Sequence, residues 1–212
     1  MTSDYTTASN AFADMPEGGY PAESPYFVAI RTFITAASRL IDSEMGRWPG
    51  FFSPSTVDET WYFDGSGEAD QSIGEWASIT TVSVSENGYI GSTDYTDWTL
   101  NTDYMLWPYN YSVQGRPITK LKLAPLTGKG AFYGYERGVR IVGVPGYSTS
   151  IPAVVAQACK MQAIEWFMSA KQGYQDTGAS AEIGGLTFSV KNELSGKVKK
   201  LLEGLKLELC NQ

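Results

Sequence analysis

The chain has 212 residues, 42% of them hydrophobic, enough to bury one substantial core and too many for disorder over most of its length. A net charge of −7 argues against stable nucleic-acid binding, because phosphate affinity comes from Lys and Arg displacing counterions. With no histidine and only two cysteines, the sequence holds no Ser-His-Asp or Cys-His triad, no His-ligated zinc and no disulfide framework.

Other gross features point the same way. Cys159 and Cys210 read as buried thiols of a reducing compartment. No apolar run approaches the ~20 residues of a membrane span, and the start MTSDYTTASN lacks the basic and apolar regions of a signal peptide. The expectation is a soluble protein made in the cytoplasm, with no membrane partner. No residue is assigned a catalytic, metal-binding or cofactor-binding role, since the scattered carboxylates are those of any acidic chain, and the protein is read as a non-enzyme.

In chain order, residues 1–23 are small and polar and are broken by Pro16, Gly18, Gly19 and Pro21, which predicts a flexible arm. Ser24 then offers an N-cap and Pro25 a first helical position. Apolar Phe27, Ile30, Phe33, Ile34, Ala37, Leu40 and Ile41 recur at helical spacing, opposite Arg31, Thr35, Ser38, Arg39 and Asp42. The spacing predicts an amphipathic helix over 25–45 that stops at Gly46.

From about 56 to 145 the chain is rich in Thr, Val, Ile, Tyr and Trp and is punctuated by turn residues, which predicts an antiparallel β module of five or six short strands. The candidates are ETWYFDG, ASITTVSVSENG, DWTLNTDYMLWP, ITKLKLAP and GVRIVGVPG. Ile79, Val82 and Val84 break strict alternation, which asks for a bulge or for burial on both faces. Within this module Asp64, Ser66, Glu68, Asp70, Ser72 and Glu75 follow the rhythm 1, 3, 5, 7, 9, 12 of a calcium loop. Position 6 is Ala69 where the sharp turn needs glycine, and the flank is strand-like, so a strand-to-strand loop is the better reading. YMLWPYNY concentrates Tyr104, Trp107, Tyr109 and Tyr111, a set suited to core packing, to an interface, or to stacking on sugar rings.

Helix returns over 151–172, with Ser150 as a possible cap and Pro152 in the first turn. At 100° per residue, Val155, Cys159, Ala163 and Trp166 form one stripe, while Val154, Ala158, Met161 and Met168 form a second. One stripe docks on a core. The second suits either another layer of the same domain or a subunit interface. Residues 173–212 form a C-terminal extension: a glycine-rich lead (GYQDTGASAEIGG), a strand-like LTFSV, then a short helix with Leu194, Val198, Leu201, Leu202, Leu205 and Leu209 at helical spacing among Lys197, Lys199, Lys200 and Lys206.

The resulting class is α+β: a small helical bundle, made of the N-terminal helix and the C-terminal helices, with the β module inserted. This order resembles the head-tail connector (adaptor, or head completion) proteins of tailed bacteriophages and gene transfer agents. The matching residues are FVAIRTFITAASRLIDSEMGRWPGFF leading into DETWYFDGSG, then ITTVSVSENG, TDYMLWPYN, GRPITKLKL, VRIVGVPGYST and IPAVVAQACKMQAIEWF, together a core over about 24–172. The V-x-V-x-G stretch before a Pro-containing helix start, here Val139 to Pro152, is the feature most repeated in that family.

The resemblance implies a structural virion protein at the head-tail interface, assembled in the host cytoplasm. It would form a homo-oligomeric ring, a dodecamer matching the portal, between the portal protein and the tail or stopper protein. Genome DNA would pass through without specific binding. Ring members need two different lateral faces. The Val154, Ala158, Met161 and Met168 stripe is the candidate subunit interface. The Lys197, Lys199, Lys200, Leu201, Leu205 and Lys206 face of the last helix is the candidate portal contact. A rival reading is an aromatic-rich β module that binds carbohydrate or another ligand.

Overall fold

The computed structural model describes residues 4–15, 20–53, 57–86, 95–171, 179–183, 186–190 and 193–205. The fold is mixed α+β and divides into two compact units, Met1–Ser53 with Ile151–Gln212, and Pro54–Ser150.

The first unit is mainly helical. Its longest element, α2 (Pro25–Glu44), starts where local chemistry puts it: the Ser24 hydroxyl accepts the Phe27 backbone N–H at 3.1 Å, and Pro25 occupies a position whose N–H would have no helical partner. It ends in paired bonds, Gly46 N–H to the Ser43 carbonyl (3.1 Å) and Arg47 N–H to the Asp42 carbonyl (2.8 Å). Gly46 takes φ +67°, the left-handed conformation such a terminus requires. The buried face of α2 carries Ala29, Ile30, Phe33, Ile34, Ala37, Ser38, Ile41 and Asp42.

Against it packs α4 (Ala153–Lys171), which buries Val155, Ala158, Cys159, Gln162, Ala163, Trp166 and Phe167. Both stripes of this helix are thereby drawn inward at their centres, because α1 (Ala8–Ala13) and α5 (Gly196–Leu202) also lie against α4. The hairpin β7 (Ala179–Ile183) with β8 (Leu186–Val190) completes the unit beside α2 and α4. Its first strand falls within the segment expected to be a flexible lead, which is thereby corrected for residues 179–183.

The flexible-arm expectation fails for residues 4–15. They contain α1 (Ala8–Ala13), capped by the Thr7 hydroxyl on the Asn10 N–H, and they bury Tyr5, Ala8, Ala11, Phe12 and Met15. Phe12 meets Phe167 edge-on at 5.9 Å, and Lys160 pairs with Asp14 at 2.5 Å. Composition misleads here because two large rings, Tyr5 and Phe12, each contribute roughly 1.5–3 kcal/mol when fully buried, enough to order a short polar stretch around them. The picture of a free C-terminal extension fails in the same way for residues 193–205. Leu194, Val198 and Leu202 are buried within this unit, and the Gln162 side-chain carbonyl accepts the Ser195 N–H at 2.7 Å.

The second unit is a six-stranded antiparallel sheet in the order β1-β6-β2-β5-β4, with β3 also paired to β2. Its strands are β1 (Glu59–Phe63), β2 (Asp70–Ser85), β3 (Tyr95–Trp98), β4 (Tyr104–Trp107), β5 (Ile118–Leu123) and β6 (Val139–Pro145). The organising element is β2, which pairs with β5 at its start, β3 at its end, and β6 along its other side. Its register against β6 shifts between Trp76 and Ser78 and again between Ile79 and Thr81, which is where the hydrophobic alternation breaks in the sequence. Next to these bulges only glycine fits: a Cβ on Gly143 would lie 2.4 Å from the Ser78 carbonyl oxygen. The inward side chains close one core of Ile73, Trp76, Val82, Val84, Trp98, Tyr104, Ile118, Leu121, Phe132, Val139 and Ile141. The four-residue helix α3 (Tyr111–Gln114) links β4 to β5. Among the described residues, no helix is long and apolar enough to cross a membrane.

Candidate assembly surfaces

The acidic stretch at 64–75 is split by the fold. Residues 64–69 connect β1 to β2, while Asp70, Ser72 and Glu75 already belong to β2. In a strand, side chains at even spacing share one face and extend along it, rather than converging on a point as they do in a calcium loop. Two of the four carboxylates in the stretch have other work: Asp64 accepts the Arg137 N–H at 2.8 Å, and Asp70 pairs with Lys122 at 3.1 Å. Among the described residues, no group of three or more acidic or thiol side chains is placed to hold a metal ion.

The aromatic set divides between core and surface. Tyr104 is 4% exposed and belongs to the core, which leaves it neither the interface nor the stacking role open to the set; burial pushes its hydroxyl up to about 12. Tyr111 packs half-buried against the same core. Trp107 and Tyr109 remain at the surface, but they meet edge-on at 4.7 Å, and Lys122 Nζ lies 4.7 Å from the Trp107 ring centre. A perpendicular ring and an ammonium group thus flank the indole.

On the sheet, two arginines lie over tyrosine rings, Arg137 over Tyr62 at 4.3 Å and Arg140 over Tyr95 at 4.8 Å. They do not make an anion site. Arg140 is shared with Ser83 and Asp97, and Asp64 and exposed Glu136 stand close to Arg137 in the fold or in sequence.

The predicted interface stripe of α4 is brought out only in part. Val154 is 37% exposed, Met161 and Met168 are half-buried, and Ala158 is fully buried. Ala158 is therefore corrected to a core residue: α4 is covered by helices of its own unit, the simpler of the two roles open to a second stripe. On α5, Val198 and Leu202 face inward, which leaves Lys197 and Lys200 exposed and Leu201 37% exposed on the outside. Lys199 reaches back to Glu44 at 3.9 Å, and Leu205 is half-buried. Lys206 lies outside the described residues, as do Leu209 and Cys210.

The buried titratable groups are structural in placement. Asp42, 1% exposed, accepts the Tyr5 hydroxyl and the Gly50 N–H (2.9 Å) and pairs with Arg39 at 3.4 Å; the Tyr5 oxygen in turn accepts the Phe52 N–H at 3.2 Å. Burial raises the Asp42 carboxyl above its ordinary range, partly offset by those donors, and burial also raises Tyr5. Cys159 lies against the Ser38 hydroxyl at 3.4 Å, and burial pushes its thiol up to about 11, where it is a poor nucleophile.

Sequence reasoning overlooked the turn after β5. Ala124 to Thr127 closes with a Thr127 N–H to Ala124 carbonyl bond of 3.2 Å, with Pro125 at its second position. Leu126 sits third at φ +66° with its side chain fully exposed. A type II turn prefers glycine there. The signal was the tetrapeptide APLT, a proline turn with leucine where glycine is expected.

No protein-family model and no curated protein sequence matches the chain. Among solved structures, it is similar to a chain in a structure described as the virion of a native gene transfer agent particle, at 15% identity over 94% of this chain and 86% of that one, with a TM-score of 0.47. It is similar to a chain in the neck of an empty gene transfer agent particle computed with C6 symmetry, at 14% identity over 94% and 88%, with a TM-score of 0.43. A third likeness is to a chain in the neck of a native particle computed with C12 symmetry, at 16% identity over 97% and 94%, with a TM-score of 0.39.

Proposed function

We propose that this chain is a structural virion protein, a head-tail adaptor that forms a ring beneath the portal and passes the channel to the tail or stopper. The observation that carries the reading is the placement of large apolar side chains on the outside of both units. Val28, Val154 and Leu201 are exposed on the helical unit, and Trp61, Tyr62, Tyr109, Val113 and Leu126 on the β unit. A subunit with different neighbours needs apolar groups on its outside, and both units supply them. The order of elements, helix then sheet then helix, is the order on which the resemblance to connector proteins rests.

A dodecamer follows from matching the portal ring. Association is weak in the free protein and completed on the template. The net charge of −7 suits a conduit for DNA, because a like-charged wall offers the duplex no counterion-release affinity. The outer face of α5, with Lys197, Lys200 and Leu201, is the portal contact, a local positive patch steering toward an acidic surface.

The test is to mix the protein with the portal protein of the same genome and look for stacked rings by electron microscopy. Rings whose formation is lost in a Lys197→Glu, Lys200→Glu double variant of unchanged melting temperature support both the role and the contact. Discrete two-fold assemblies with no portal affinity contradict the role.

A further inference from the structure

Charge is sorted along the β unit. Residues 54–103 carry ten acidic side chains and no Lys or Arg, whereas residues 104–135 carry Arg116, Lys120, Lys122 and Lys129 and no acidic side chain. The first block supplies β1, β2 and β3, and the second supplies β4, α3 and β5. Some of these charges answer one another inside the fold: Asp70 pairs with Lys122 at 3.1 Å, and Glu86 with Lys129 at 2.5 Å. At the two ends of the sheet, β1 and β4, with β6, β2 and β5 between them, charges of opposite sign remain. Asp58 and Glu59 are exposed at the β1 end, where they accept uncharged donors, the Thr80 hydroxyl at 2.7 Å and the Trp61 indole N–H at 2.9 Å. Arg116 and Lys120 are exposed at the β4 end, Lys120 as the cross-strand partner of Trp107. Among the described residues, none of these four is in an ion pair. Arg137 lies over the Tyr62 ring toward the other end of β1, with Asp64 and Glu136 beside it, so the β1 end stays acidic. Each end also exposes apolar groups, Trp61 and Tyr62 at one and Tyr109 and Val113 at the other, the mixture found at protein contacts.

We infer that the β1 end of one copy of this chain docks on the β4–α3–β5 end of another, with Asp58 and Glu59 facing Arg116 and Lys120. Charge complementarity names the occupant: the acidic face that the cationic end requires is carried by the chain itself, on the opposite side of the same sheet. Pairing of either end with its own counterpart is disfavoured by the same charges, since it sets carboxylates against carboxylates or cations against cations. Set edge to edge, one contact leaves each copy with an open end, so growth continues past a pair, into a ring or a filament according to the rotation per step. Nucleic acid is the weaker fit, because two unpaired cations give a salt slope of only about 2 and the β1 end repels phosphate. These surfaces are the lateral faces that the proposed ring needs, so the contact rests on that reading for its place in the virion and on charge alone for its partner.

The test reverses each end in the full-length chain. Arg116→Glu with Lys120→Glu leaves two acidic ends, and Asp58→Lys with Glu59→Lys leaves two basic ones. In sedimentation velocity at high concentration and low salt, the parent is expected to grow beyond a dimer, and added salt to reverse the growth. Each double variant alone is expected to associate about 10- to 100-fold more weakly, with the melting temperature unchanged because all four side chains are exposed. An equimolar mixture of the two is expected to restore growth, since every contact then joins ends of opposite sign. No growth of the parent either free or on the portal, growth that stops at a dimer, or a mixture no better than its components would each overturn the inference. So would undiminished association of either double variant, and portal binding lost along with Arg116 and Lys120 in that case would assign their end to an acidic partner protein. The two failures separate cleanly. Portal rings that form normally with both double variants leave the adaptor role standing and remove this contact, whereas charge-dependent growth that never yields portal rings keeps the contact and removes the role.

Discussion

Replacing Tyr5 with phenylalanine tests whether the N-terminal segment belongs to the helical core. The ring is 1% exposed and meets Phe52 edge-on at 5.8 Å, a contact that Tyr5→Phe preserves. Only the hydroxyl is lost, and with it one bond donated to the Asp42 carboxyl and one accepted from the Phe52 N–H at 3.2 Å. A bond to a charged group is worth roughly 1.5–3 kcal/mol and a neutral one about 0.5–1.5 kcal/mol, so the expected loss is about 2–4 kcal/mol. For a chain of this size, each kcal/mol lowers the melting temperature by roughly 2–4 °C, which puts the drop near 10 °C by calorimetry or circular dichroism. A second readout follows from Asp42. Burial raises its carboxyl above the ordinary 3.8, so the folded state holds the proton more tightly than the unfolded chain. The stability from this proton is therefore present below pH 3.8 and is lost as pH rises through the raised value. Removing the Tyr5 donor removes a group that lowers Asp42, so that loss should move to higher pH in Tyr5→Phe and vanish in Asp42→Asn. A Tyr5→Phe variant within about 0.5 kcal/mol of the parent, the range of a surface substitution, would refute the reasoning and return residues 4–15 to a loose arm.

Three further outcomes are expected. Leu202→Ala should cost about 2–5 kcal/mol, and deletion of 190–212 should lower the melting temperature of the remainder, because Leu194, Val198 and Leu202 fill the subunit's own interior; an intact melting transition after the deletion would assign them to a partner instead. Calcium at sub-millimolar concentration should leave the melting temperature unchanged, since Asp64 and Asp70 already serve Arg137 and Lys122, and a rise of several degrees would contradict this placement. Stability should decline as pH climbs from 9.0 through 10.0 and on toward about 12, because burial raises Cys159, Tyr5 and Tyr104 and the unfolded chain gives up these protons first; titration of denaturation midpoints should show a shallower decline in Tyr104→Phe.

What the sequence determined by itself is what neighbouring residues decide among themselves. Ser24, Pro25 and Gly46 mark the ends of α2 because capping and left-handed closure act over a few residues. The broken alternation at Ile79, Val82 and Val84 reports a bulge in β2 because a strand's side-chain period is local geometry. The tertiary structure decided which apolar groups find cover. Six residues of α1 are too few to show a helical period, so its order comes from Tyr5 and Phe12 finding room against α2 and α4. Val154 and Ala158 fall on one stripe of α4, yet one lies in solvent and the other is enclosed, because the neighbours of a helix are set by chain segments more than a hundred residues away. Tyr104 and Tyr109, five residues apart, part company for the same reason: the first points into the core that β2, β5 and β6 close around it, and the second lies beyond the end of β4, where no strand reaches.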